Sequence, residues 1–276
     1  MSFVYSRDIA QKSGSNFYLS FFFLPKEKKE GMIVIYAFSR LVDDAVDEAP
    51  DEVTAKKEIQ LWRERVESCY GNSLSDQHPI LPELKTIAQR FQIPKTYLLD
   101  LITGMEMDLL KKRYATYAEL ETYCYHVAGT IGLMCQHIFE ATSDKAKEGA
   151  VLLGKAFQMT NIIRDVGNDL VRDRIYLPAE DMKKFSVSPE DILAKKMTPN
   201  LLALLSFESA RAEDLYQRAF ATIPKDELKK MKSALVMNAV YYKILKKLQQ
   251  QSFPVFERKV SLNLWEKLFQ ILPVLL

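Results

Sequence analysis

Apolar residues recur at helical spacing along nearly all of this 276-residue chain. The stretch DEVTAKKEIQLWRERVESCYG, residues 51–71, shows the pattern well: apolar positions return every three or four residues between charged ones. Alternating strand patterns of useful length are hard to find, and glycine is sparse, with 9 residues in the chain. Breaks are expected where proline or glycine cluster: at 49–50, 71–79, 93–94 and 177–182. Ser188, Pro189, Glu190 and Asp191 form a helix start, with serine as N-cap, proline at the first position and acids in the first turn. No repeat or low-complexity linker interrupts the pattern. The expectation is a single all-α domain over residues 1–276.

One segment breaks the amphipathic rule. GMIVIYAF, residues 31–38, is apolar all round, yet RLVDDAVDE, residues 40–48, follows at once. Asp43 and Asp47 are four apart, so their carboxylates share a helix face and repel. Arg40 lies one turn before Asp43 and Asp44. A single arginine leaves negative charge over against Asp43, Asp44, Asp47 and Glu48, which points to a divalent cation. Hard oxygen ligands select Mg2+ over zinc.

A second acidic ladder strengthens this reading. In FQMTNIIRDVGNDLVRDRIYLP, residues 157–178, Asn161, Asp165 and Asp169 stand at i, i+4 and i+8. Ile162, Ile163, Val166 and Leu170 cover the other sides. Two such helices facing each other would hold several Mg2+ ions. Because Mg2+ is usually shared between a few carboxylates and substrate phosphates, a phosphorylated substrate should bridge the ladders. Arg164, Arg172 and Arg174 are candidates for the remaining phosphate oxygens.

Composition changes this picture little. Hydrophobic residues make up 48% and charged residues 27%, as in a well-cored globular protein. A net charge of +2 with dispersed lysines and arginines argues against a nucleic-acid partner. Cys69, Cys124 and Cys135 make no even framework, and no cleavable signal is apparent, so a cytoplasmic location is expected. No uncharged apolar segment reaches the ~20 residues of a membrane span. The apolar tail LNLWEKLFQILPVLL leaves two readings open: peripheral contact with the inner face of a membrane, or a last helix packed on the body.

The paired segments RLVDDAVDE and NIIRDVGNDLVRDRIYLP resemble the aspartate-rich motifs of the squalene/phytoene synthase family. SGSNFYLSFFFLP (13–25), GMEMDL (104–109), YCYHVAGTIG (123–132) and VYYKILKKLQQQSFPVFERKVSL (240–262) resemble further family segments, in family order. The resemblance implies an isoprenoid synthase fold, with helices around a central apolar cavity. It also implies head-to-head joining of two prenyl diphosphates. Within the family the chain is most similar to bacterial presqualene diphosphate synthases of the hopanoid-associated squalene pathway. The expected reaction therefore joins two farnesyl diphosphates into presqualene diphosphate, with release of pyrophosphate. The alternatives are a phytoene synthase acting on two geranylgeranyl diphosphates, or a dehydrosqualene or squalene synthase. A chain-elongating synthase or terpene cyclase, and a non-catalytic relative acting as a partner protein, stand further off. Sequence pattern does not give tunnel depth, which sets C15 against C20 substrates.

Carried over residue by residue, the resemblance makes Asp43, Asp47, Asn161, Asp165 and Asp169 the Mg2+ ligands. Tyr36, Arg40, Arg164, Tyr241 and Arg258 become diphosphate contacts, with Arg174 and Tyr176 counted among the substrate-binding residues. Val127, Gly129, Ile131, Gly132, Gly154 and Gln158 match the prenyl tunnel. Phe17, Phe21, Phe22, Phe23 and Phe38 are candidate apolar walls around a prenyl cation that water would destroy. Gly14, between Ser13 and Ser15, stands where a relative has serine. The proton acceptor stays open between the released pyrophosphate and a tyrosine. A reductive second step would need a dinucleotide, and no GxGxxG follows a strand here. Downstream enzymes that reduce or hydrolyse the product are expected partners through the resemblance. Asp108 and Tyr123 line the site or serve structure. Cys124, His126, Cys135 and His137 suggest zinc, but residues two apart on a helix diverge. Asp173 falls outside the metal line.

Overall fold

The structure is a computed structural model that describes residues 3–13, 20–21 and 24–275. Phe17, Phe22, Phe23, Gly14 and Ser15 lie outside the described residues. Among those described, the chain is helical, with one isolated β-bridge between Arg113 and Ile175. That matches the all-α expectation.

Helix α1 spans Val4–Lys12, α2 Lys26–Asp47, α3 Glu52–Cys69, α4 Ile80–Arg90 and α5 Lys95–Leu110. Helix α6 (Tyr117–Cys124) runs through a five-residue π segment, Tyr125–Gly129, into α7 (Thr130–Phe139). The long α8 (Asp144–Asp169) is followed by short α9 (Ala179–Lys184) and α10 (Pro189–Leu193). Then come α11 (Pro199–Thr222), α12 (Lys225–Leu228), α13 (Lys232–Gln250) and α14 (Leu264–Leu275). The breaks expected at 49–50, 71–79 and 93–94 fall between helices. At 177–182 the break ends at Pro178, and Ala179 already begins α9. Ser188 caps α10 in a reciprocal capping box with Asp191.

Helix α2 explains its own odd sequence. Met32 to Ile35, Ala37, Phe38 and Val42 are all buried, because α3, α4, α5 and α7 pack around it. Helix α8 is equally central, held by α7, the π segment, α11 and α13. Its N-terminus is fixed by Ser143, whose hydroxyl accepts from the Ala146 N–H and pairs with Glu227. At two crossings α8 meets bare backbone. A Cβ on Gly154 would lie 2.3 Å from the Ala128 carbonyl oxygen, and one on Gly132 would lie 2.3 Å from that of Ala150. These glycines, read from the family as tunnel residues, also let α7, the π segment and α8 touch.

Away from the acidic ladders, Glu208 on α11 is fully buried against Arg211, which it meets at 2.7 Å. Burial pushes its carboxyl up to about 7, against the pull of Arg211. Its Oε1 has no hydrogen-bond partner to favour the charged form. The folded state therefore holds a proton there that the unfolded chain releases near its ordinary value of 4.5. This contribution to stability is fully present below about 4.5 and is lost as pH rises towards 7. Melting curves of Glu208→Gln between pH 4.5 and 7.5 should show a shallower decline than the parent, roughly one proton's worth. Parallel curves would refute this.

Candidate active site

Between α2 and α8 lies a cavity of about 470 Å³, within the usual range of roughly 300–1,000 Å³ for small-molecule sites. Its wall is two-toned. Asp43, Arg40 and Tyr36 come from α2, and Asn161, Arg164, Asp165 and Asp169 from α8, making one polar end. The rest is mainly apolar: Phe21, Ile35 and Met32 on one side, Val127, Ile131, Gly132 and Phe157 on another, with Phe139 and Met237 further round. Gln158 also lines it and accepts from Asn161 Nδ2 at 3.3 Å. Phe21 stacks edge-on against Tyr36, with ring centroids 6.3 Å apart. Phe38 instead is buried away from the cavity, edge-on against Trp62.

The π segment shapes the tunnel wall. Its wide turn puts Val127 and Ala128 into the cavity, while Thr130 and His126 are tied back through a hydroxyl-to-carbonyl bond of 2.6 Å. Such π turns often occur at functional sites. Gly129, expected along the tunnel, lies in this turn but not on the cavity wall; a Cβ there would come within 3.2 Å of Tyr125 and 3.4 Å of Val151.

Each acidic ladder is partly neutralised by cations. Arg40 reaches Asp43 at 3.1 Å and Asp44 at 2.5 Å. Asp47 pairs with Arg174 at 3.1 Å and Arg172 at 3.3 Å. Arg164 grips Asp165 through two bonds and also hydrogen-bonds buried Tyr241. Lys259, from the loop after α13, meets Asp165 at 3.3 Å. These cations answer part of the puzzle that the acids posed, but negative charge remains. Burial and the neighbouring Asp47 push the Asp43 carboxyl up to about 7 despite Arg40. Burial, Asp165 and Asp108 push Asp169 up to about 7 as well. Asn161 Oδ1 is buried with no hydrogen-bond partner.

This donor set suits a hard divalent cation: carboxylates short of positive charge and an orphaned amide oxygen, all oxygen ligands. No three His, Cys, Asp or Glu among the described residues form a ready cluster for one ion. Such an arrangement suits Mg2+ that shares its coordination with substrate phosphates.

Asp108 on α5 deepens the polar end. It is 8% exposed and accepts hydrogen bonds from Tyr176 at 2.6 Å and Tyr123 at 2.8 Å. All three line the cavity, and Tyr114, Tyr123 and Tyr176 stack together. Burial raises the Asp108 carboxyl above its ordinary value.

Not every expected residue arrives. Arg258 is exposed on the surface loop and donates to Gln251 Oε1 at 3.3 Å, outside the cavity wall. Lys259, one residue on, makes the contact to the acidic ladder instead. A sequence resemblance favours arginine at a matched position, and nothing in the local pattern separates two adjacent cations on a loop. Asp47 and Arg174 sit just behind the wall, bound to each other. Asp173 turns away to Arg113 at 2.7 Å. The residues that suggested zinc diverge. His126 Nδ1 meets Asp100 O and His137 Nδ1 meets Phe91 O, while burial pushes the Cys135 thiol up to about 12.

The Squalene/phytoene synthase family profile matches residues 10–266. The phytoene synthase of Thermus thermophilus is 35% identical over 94% of this chain and 87% of its own. The 15-cis-phytoene synthase of Synechococcus elongatus is 31% identical over 95% and 88%. Among solved structures, a dehydrosqualene synthase in complex with ligand superposes with a TM-score of 0.87 at 31% identity, over 99% of this chain and 94% of its own. The squalene synthase HpnC from Alicyclobacillus acidocaldarius shares the fold, with a TM-score of 0.82 at 24% identity over 91% and 94%. This chain belongs to the squalene/phytoene synthase family.

Proposed function

We propose that this protein condenses two geranylgeranyl diphosphates head to head into phytoene, using Mg2+ at the two acidic ladders. The observation that carries the reading is the meeting of both ladders at one end of an otherwise apolar cavity. The sequence alone had ranked presqualene diphosphate first and phytoene as its alternative; the named relatives favour that alternative. Condensation of two farnesyl diphosphates is the second reading, supported by the likeness to a dehydrosqualene synthase.

Asp43, Asp47, Asn161, Asp165 and Asp169 would hold Mg2+. When bound, Mg2+ supplies Lewis-acid neutralisation of a diphosphate leaving group. Around it, Arg40 and Arg164 are placed to take diphosphate oxygens in exchange for their present carboxylates, and Lys259 and Arg174 stand behind them. Phe21, Val127, Ile131 and Phe157 hold the prenyl chain and exclude water from the reacting carbons. Tyr176 and Tyr123, fixed by Asp108, present hydroxyl oxygens to the same space.

Product analysis tests the reading. Purified protein with Mg2+ receives farnesyl or geranylgeranyl diphosphate, each with and without NADPH. Phytoene from the C20 substrate, unchanged by NADPH, is the expected outcome. A C30 product from farnesyl diphosphate alone would establish the second reading. No condensation from either substrate would sink both and leave a non-catalytic relative.

A further inference from the structure

The apolar end of the cavity closes on three elements. Met32 from the start of α2, Phe139 from the end of α7 and Met231 from the turn Lys229–Met231 all line it and are all buried. Helix geometry places them far from the acidic ladders. Met32 precedes Asp43 on α2 by about 16 Å of helix. Gly132 crosses Ala150 and Gly154 crosses Ala128, so α7 and α8 run antiparallel. Phe139 therefore lies beyond Ala150, which itself precedes Asp165 by about 22 Å of helix. A Cβ on Gly31 would lie 3.3 Å from Ile138 Cδ1, so the start of α2 and the end of α7 meet at this closed end.

The same three elements are tied together from outside. The last carbonyls of a helix have no partner within it. Near the end of α7, two carbonyls are taken by lysines from the other two elements. Lys28 Nζ donates to the Phe139 carbonyl at 3.1 Å, and Lys230 Nζ to the Glu140 carbonyl at 3.2 Å. Cations suit this negative end of the helix dipole. Each lysine adjoins a wall residue: Lys28 lies one turn before Met32, and Lys230 directly precedes Met231. Lys28 also pairs with Glu140 at 2.7 Å, but that carboxylate is 67% exposed, and exposed pairs contribute little. The Lys28 side chain is only 21% exposed, so its bond to the Phe139 carbonyl is the stronger tie.

We propose that Lys28 is a positioning residue: by capping α7 it holds Phe139 as the floor of the prenyl tunnel and so limits the chain length admitted. Met32 and Met231 beside it are flexible side chains, so the aromatic ring sets the stop. The proposal deepens the phytoene reading and rests on it, which makes C20 the longest chain admitted and C25 the first refused.

Binding tests the floor separately from turnover. Full-length protein in Mg2+ is titrated by calorimetry with unreactive prenyl S-thiolodiphosphates of C15, C20 and C25. The parent should bind the C25 analogue at least about tenfold more weakly than the C20 one. Phe139→Ala should close that gap, and Phe139→Leu serves as the milder variant should alanine not fold. Lys28→Met keeps the stem and removes the donors; it should narrow the gap about threefold. Glu140→Gln should leave the gap as in the parent. A Lys28→Met protein that binds all three analogues more weakly, with the gap unchanged, would show a merely structural role and overturn the proposal. So would a parent that binds all three alike, or a Glu140→Gln gap as narrow as that of Lys28→Met. A parent drop between C15 and C20 that the variants relieve supports the floor and overturns the C20 reading. Binding with this pattern but no condensation in the product analysis overturns the reaction and leaves the floor standing.

Discussion

Asp169→Asn should lose about 10²- to 10³-fold in turnover while leaving the metal-free fold as stable as the parent or more so. The carboxylate faces the cavity, and its charge is opposed by burial, Asp165 and Asp108. Asparagine keeps the shape and removes the repulsion, so nothing in the folded state loses a partner. On the proposed reaction, what disappears is a charged oxygen donor where leaving-group charge would be held, and the loss of one such group typically costs this much rate. The sign of the stability effect depends on pH. Asp169 stays protonated in the fold up to about 7, but its ordinary value is 3.8. Stability from this group is therefore present below about 4 and falls as pH rises to 7. At pH 8 in chelator the variant should melt higher than the parent, by about 2–4 °C for each kcal/mol of repulsion removed. Calorimetry in chelator and turnover at saturating Mg2+ check the two halves. A variant that turns over normally would remove Asp169 from the metal site.

Asp165 should behave differently, although it is a ladder residue of the same kind. It is the partner of Arg164, whose side chain is 10% exposed, and of Lys259. Removing the carboxylate charge strands a mostly buried guanidinium, a loss of about 3 kcal/mol where such pairs are well buried. Asp165→Asn should thus lose both turnover and melting temperature. The contrast separates an acid that waits for a cation from one that already has a protein partner.

That distinction was invisible in the sequence. Spacing alone put Asp43 with Asp47 and Asn161 with Asp165 and Asp169 on helix faces, and the structure brings Asp43 and all three of the second set to one cavity, with Asp47 just behind its wall. The all-round apolar run before Asp43 announced a buried helix, and α2 is one. Spacing within a helix is local, so the ladders were legible. Which cation answers which acid depends on loops that return from elsewhere in the chain. Arg174 reaches Asp47 across 127 residues, and Lys259 reaches Asp165 from beyond α13. The pairing of Asp108 with Tyr123 and Tyr176 likewise joins three separate segments. The π segment is hidden for another reason: YHVAG reads as ordinary helix, and its surroundings, α5 and α8, come from elsewhere in the chain. Of the tail's two readings, the structure shows the packed last helix: α14 lies along α13.

Gly154→Ala should damage both stability and turnover, though Gly154 bears no functional group. Its added Cβ would sit 2.3 Å from the Ala128 carbonyl oxygen, 2.7 Å from its carbon and 3.0 Å from the Gly129 nitrogen. All three are backbone atoms, so no side chain can swing aside; α8 or the π segment must move. Overpacking of this kind costs roughly 1–3 kcal/mol, or several degrees in melting temperature for a chain of this size. The functional loss follows from continuity. Gly154 lies on the same rigid helix as Asn161, Asp165 and Asp169, so a shift at the crossing displaces the whole ladder relative to Asp43 on α2. A misplacement near 1 Å costs about 10²-fold where reacting groups must be aligned. Gly71→Ala is the matched control: its nearest atom would be 3.6 Å away, an ordinary contact, and it should be silent. Melting curves and turnover measured together decide the matter. If Gly154→Ala melts low but turns over normally once folded, the two acidic helices are positioned independently of this crossing. If it melts normally, α8 and the π segment are less tightly apposed than the structure places them.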